Sequence, residues 1–136
     1  MYRGDIYYIN KFESVGSEQF SGRPAIIVSN NKNNATSEVV EIVYLTTQPK
    51  SDLPTHVTIR SLDKTSIAIC EQITSISKQR IGDYIGRCTV DEMSMLDLAL
   101  KISLGISDNA EIGPIERERD LWKAMYENIV DKIVGK

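Results

Sequence analysis

Six short apolar runs mark the first ninety residues: Asp5 to Ile9, Ala25 to Ser29, Val39 to Leu45, His56 to Ile59, Ser66 to Cys70 and Ile81 to Ile85. Each is bounded by turn-forming residues, as strands are. The Asn30–Asn34 stretch, with only Lys32 among its asparagines, suits a turn, because Asn tolerates left-handed backbone and bonds its own neighbours. Gln48 to Pro54, with Pro49 and Pro54, reads as a loop. Many short strands with no long helix between them predict a small, strongly bent antiparallel barrel. At Thr89 the period changes. Thr89-Val90-Asp91-Glu92 has the capping-box form, and Met93, Leu96, Leu100 and Ser103/Leu104 follow at helical spacing up to Gly105, a residue suited to a left-handed cap. Ser107 to Gly113 reads as a linker. Pro114 then opens a second amphipathic helix to about Val134, with Trp122, Met125, Tyr126, Ile129 and Ile133 on one face.

A length of 136 residues with 41% hydrophobic content fits one compact domain. No apolar run approaches the roughly 20 residues that span a bilayer, and the N-terminus MYRGDIYYIN lacks the apolar stretch of a secretory signal. The expected location is the cytoplasm, with no membrane partner. Cys70 and Cys88 are expected to be core thiols rather than a disulfide, and with His56 as the sole histidine no metal site or cofactor is expected. The net charge is −3, but residues 1–90 carry 10 Lys/Arg against 9 Asp/Glu, whereas residues 91–136 carry 6 against 10. The acidic excess therefore lies in the C-terminal third and leaves room for a small basic groove before it.

Gly16 to Pro24 is the least core-like stretch of the first half. Gly16 and Gly22 allow close backbone approach, and Pro24 drives Arg23 into an extended conformation at the mouth of a strand. Such an arginine is either a solvated surface residue or a phosphate clamp. Thr46-Thr47-Gln48 sets two hydroxyls and an amide where another strand leaves the core, although threonines at strand ends also serve simply as β-formers. His56 reads as a surface or core histidine or as a proton carrier. Glu71 and Gln72 either cap a strand or offer groups that recognise bases.

The order of these segments is more specific than any one of them. Gly-Ser-Glu-Gln-x-x-x-Arg-Pro from Gly16 is followed by Thr-x-Gln from Thr46 and Leu-Pro-Thr-His-Val from Leu53. Glu-Gln-Ile-x-x-Ile-x-Lys-Gln-Arg from Glu71 comes next, then Asp-Glu-Met from Asp91 with Leu-x-Ile-Ser-Leu-Gly from Leu100. Together with the opening Arg3-Gly4-Asp5-Ile6-Tyr7, the series resembles the MazF/PemK family, the mRNA-cleaving toxins of type II toxin–antitoxin systems, over roughly Tyr2 to Ile106.

The resemblance implies an α+β fold, mainly β: an SH3-like barrel of the PemK/CcdB type in residues 1–106, with residues 107–136 outside it as linker and C-terminal helix. That helix would add to the core, extend a dimer interface or occupy an antitoxin groove. The resemblance further implies a homodimer and a metal-independent endoribonuclease acting on single-stranded RNA. By the family motifs Arg23 and Thr46 would be catalytic, and Glu18, Gln19, Thr47, Gln48, His56, Glu71 and Gln72 would bind substrate. The implied partner is an antitoxin whose disordered acidic tail covers the RNA groove. If the RNA's own 2′-hydroxyl attacks phosphorus, no protein nucleophile is needed. A guanidinium and an alcohol can then stabilise the charge that gathers on the phosphoryl oxygens, and Glu18 or His56 is the candidate proton carrier. A non-enzymatic toxin of the same fold that binds a protein such as DNA gyrase, as CcdB-like relatives do, is the competing reading. The Arg23–Thr46 pair favours the nuclease.

Overall fold

A computed structural model describes residues 1–10 and 22–107. Glu18, Gln19, Gly16 and the expected linker and helix beyond residue 107 lie outside the described residues. The chain divides into one compact unit, Met1–Ile106, and a second, Ser107–Lys136. The first contains β1 (Asp5–Ile9), β2 (Arg23–Ile27), α1 (Asn31–Thr36), β3 (Val39–Thr46), β4 (His56–Ile59), β5 (Ser66–Ser77), a 3₁₀ turn (Lys78–Arg80), β6 (Ile81–Arg87) and α2 (Val90–Leu104).

The six strands form one antiparallel sheet in the order β4-β5-β3-β2-β1-β6. The sheet does not close, but it bends at register shifts between β1 and β6 and between β3 and β5. The expected α+β architecture with a barrel-like sheet is therefore found. The central strands β2 and β3 are apolar on both faces. On one face Ile26, Val28, Val43 and Leu45 join Val57, Ile59 and Cys70 beneath Leu96, Ala99 and Leu100 of α2. On the other, Ala25, Ile27, Val40 and Ile42 pack with Ile9 and Ile76. Both cysteines are free and buried, as expected, and burial pushes each thiol up to about 12.

Two local expectations need correction. The Asn-rich stretch is a helical turn, α1, because Asn30 caps it by accepting from the Asn33 N–H, while Asn34 is buried and bonds the Ser29 hydroxyl and carbonyl. β5 continues to Ser77, since beyond the polar Glu71-Gln72 pair it re-pairs with the first half of β3. Leu104, in the last turn of α2, is 59% exposed and borders an open groove lined also by Val28 and Ile73.

The capping box forms as expected. The Thr89 hydroxyl accepts from the Glu92 N–H at 3.1 Å and Glu92 Oε1 accepts from the Thr89 N–H at 2.9 Å. Gly105 closes the helix with φ +71°. The second oxygen of Glu92 accepts the Arg60 N–H at 2.6 Å, which ties the helix start to the β4–β5 loop. Thr89→Ala is expected to cost about 1 kcal/mol in a denaturant titration. Glu92→Ala should cost more, because it frees two backbone donors on separate elements.

Candidate active site

The site begins where β1 and β2 crowd together. A Cβ on Gly22 would run into the Ile9 carbonyl, so the residue before Arg23 must be glycine. Pro24 follows, and the β2–β3 pairs begin one residue later at Ala25, beyond the nitrogen that cannot donate. Arg23 is thereby fixed as the first, exposed residue of β2. Its guanidinium carbon lies 4.5 Å from the centroid of the Tyr44 ring, a cation–π contact that aims the side chain along the sheet.

The register brings Thr46 to the same place. Ala25 pairs with Tyr44, Ile26 with Val43 and Ile27 with Ile42. Carried two residues outward, that register sets Arg23 opposite Thr46, on neighbouring strands and on one face of the sheet, a separation of about 4.8 Å between strand axes. Tyr44 and Thr46 share that face because they are two apart. The Thr46 hydroxyl accepts the Gln48 N–H at 3.0 Å. Its own proton is then left to point away from the turn as a donor.

Glu71 and Gln72 reach this face through the β5 irregularity. Val43 pairs with Ile73 but Leu45 pairs with Ala68, so residues 69–72 stand against Tyr44 alone. Bulges of this kind re-aim side chains, and both Glu71 and Gln72 are exposed there. One strand further, His56 pairs with Ile69. Its Nδ1 lies 2.7 Å from the Ser51 carbonyl and its Nε2 3.0 Å from Glu71 Oε2, while the Thr55 hydroxyl donates to Glu71 Oε1 at 2.8 Å. Both groups facing the ring are acceptors, so only the imidazolium, with two N–H donors, satisfies both. In that form the ring ties the Gln48–Pro54 loop, through Ser51, to Glu71 of β5.

Arg23, Tyr44, Thr46, Glu71 and His56 thus stand on four adjacent strands, β2-β3-β5-β4, across roughly 14 Å of sheet. Thr47, one residue on from Thr46, faces the opposite side and lines a separate pocket. Gln48 is exposed beside Thr46. Tyr44 joins this face although no motif singles it out. Its signal is the alternation itself, since the residue two before Thr46 shares its face.

The profile of the "PemK-like, MazF-like toxin of type II toxin-antitoxin system" family matches residues 2–104. The chain belongs to this family. It is 37% identical over 111 residues to Endoribonuclease EndoA of Bacillus subtilis, covering 78% of this chain and 96% of that protein. Two structures from Mycobacterial species share the fold with a TM-score of 0.67: an endoribonuclease, 29% identical over 79% of this chain and 94% of its own, and an endoribonuclease in complex with its cognate antitoxin, 30% identical over 79% and 98%. From the segments Arg23-Pro24, Thr46-Thr47-Gln48 and Glu71-Gln72, the β2–β3 register and the β5 bulge bring Arg23, Thr46, Glu71 and Gln72 to one face, while Pro24 and Thr47 turn to the other.

The Glu71 hydrogen bond raises the His56 pKa above the ordinary 6.5 against the opposing effect of burial, with the Ser51 carbonyl assisting. Burial alone would raise the Glu71 carboxyl, but the bonds from His56 and Thr55 outweigh it and hold the group below its usual value. The stabilisation from His56 is therefore full below pH 6.5 and lost as pH climbs through its raised pKa. That from Glu71 is present above the ordinary carboxylate value and lost as pH falls through the lowered one. Glu71→Gln is expected to bring the His56 titration, followed by NMR of the ring protons, back towards 6.5. An unmoved titration would show that the pair is not formed in solution.

Proposed function

We propose that this PemK/MazF toxin is a metal-independent endoribonuclease that cuts single-stranded mRNA at a short sequence, using the RNA's 2′-hydroxyl as nucleophile. The proposal rests on Arg23 held over Tyr44 and on the β2–β3 register, which, continued two residues outward, puts Thr46 beside Arg23 on the same sheet face. The 2′-oxygen attacks the adjacent phosphorus and the bond to the 5′-oxygen breaks, leaving a 2′,3′-cyclic phosphate and a 5′-hydroxyl. Charge accumulates on the phosphoryl oxygens as the transition state forms. A rigid guanidinium and an oriented hydroxyl donate hydrogen bonds that strengthen with that charge. Arg23 acts as a cation rather than a base, since a delocalised guanidinium gives up its proton poorly near neutrality.

Gln48, Glu71 and Gln72 form the base-reading side of the groove, and the family motif adds Glu18 and Gln19 to the RNA-binding set. His56 contributes by fixing the loop that carries Gln48. With both His56 nitrogens engaged, Glu18 is the remaining candidate to receive the 2′-hydroxyl proton. The partner is a cognate antitoxin whose acidic, disordered tail folds over the groove and competes with RNA phosphate for Arg23. The chain works as a homodimer in the cytoplasm. Support for a second copy comes from α2, which is apolar on two sides: Leu96, Ala99 and Leu100 face the core, while Met95, Leu98 and Ile102 remain exposed.

Incubated with a long single-stranded RNA in chelator, the protein is expected to yield discrete fragments bearing cyclic phosphate and 5′-hydroxyl ends. Arg23→Ala should slow cleavage by about 10²–10³-fold, Thr46→Val should slow it less, and 2′-deoxy substrate should stay intact. Intact RNA with the unaltered protein would overturn the reading. Leu98→Glu with Ile102→Glu is expected to shift the protein towards monomer in light scattering.

A further inference from the structure

The ends of β2 and β3 carry a second cavity on the sheet face away from Arg23. Strand alternation turns Pro24 and Thr47 to that face, each one residue, or 3.8 Å along the Cα trace, from Arg23 and Thr46. They border a pocket of about 440 Å³ whose apolar walls are Tyr8, Leu62 and Ile85 and whose polar groups include Thr47, Asp63 and Lys64. Tyr8 sits beside Pro24 in the β1–β2 ladder and is 41% exposed. The far wall is held in place. Leu62 packs so closely on Gly86 that a Cβ there would lie 2.8 Å from Leu62 Cδ2, and the Arg60 N–H is anchored on Glu92.

We infer that this pocket is a subsite for one base of the RNA next to the scissile step. The inference rests on the nuclease reading of the Arg23–Thr46 site. Its chemistry is that of single-strand recognition: an exposed aromatic ring and aliphatic walls for a π face, an ammonium for the adjoining phosphate, and a hydroxyl and carboxylate for a base edge. The volume is within the range of small-molecule sites. A strand crossing the end of β2 and β3 meets Arg23 on one side and the pocket on the other, so phosphate and base are sorted onto opposite faces of the same two strands.

The test uses the full chain and a random-sequence single-stranded RNA that carries 4-thiouridine and is 2′-O-methylated throughout, so that it binds without being cut. After illumination, mass spectrometry is expected to find adducts on Tyr8 and within Ser61–Ser66. Adducts confined to Arg23, Tyr44, Thr46, Gln48 and His56 would remove the subsite and leave the nuclease reading standing. No adducts anywhere would remove both. In parallel, Leu62→Ser and Lys64→Ala are expected to lower kcat/KM about tenfold and to relax base preference at one position of the mapped cleavage sites. An unchanged site profile and rate in both variants, or loss of antitoxin affinity alone, would overturn the inference.

Discussion

The β2–β3 ladder is the constraint on which the site depends. Both strands are buried on both faces, so apolar alternation does not by itself choose their register. A slip of one residue would keep the core apolar and would exchange Arg23 for Pro24 opposite Thr46. The register is held from outside the ladder. Gly22 is pressed against the Ile9 carbonyl, Pro24 supplies no donor, and at the other end α1 plugs Asn34 beneath Ser29, whose hydroxyl takes the Glu41 N–H at 3.0 Å. Site and core are therefore set by the same pairing.

Around that ladder the charges are arranged by strand. Arg23 rests on an aromatic ring and is exposed, while both ring nitrogens of His56 are engaged by Ser51 and Glu71. The two groups thus sit differently, one open to solvent and one tied to the protein's own loop. The N-terminus is tied down separately. Asp5 accepts from the Tyr2 N–H at 2.8 Å and from Arg87 Nη1 at 2.6 Å, and Arg3 bridges the Val28 carbonyl and Asp97. These bonds fasten the opening Arg-Gly-Asp to β6 and α2, which explains that motif without a role in chemistry.

Much of this was legible in the residues alone. The strands, the Thr89–Glu92 box and the left-handed Gly105 are local features, decided within a few positions of one another. That Arg23 and Thr46 belong together was implied by the motif order, and the face they share comes from the β2–β3 register. What was hidden depends on distant partners. α1 exists because Asn34 finds Ser29, the second half of β5 because it re-pairs with Val39–Val43, and the His56–Glu71 pair because a bulge brings together residues fifteen apart. Neither propensity nor spacing reports such encounters.

Glu92 gives the fold one further property. The same carboxylate closes the first turn of α2 and grips the loop after β4. Warming that frays the helix start will slacken this loop, whereas Arg23 and Thr46 are braced by the doubly buried ladder. The loop after β4 should therefore soften at a lower temperature than the ladder that carries Arg23 and Thr46.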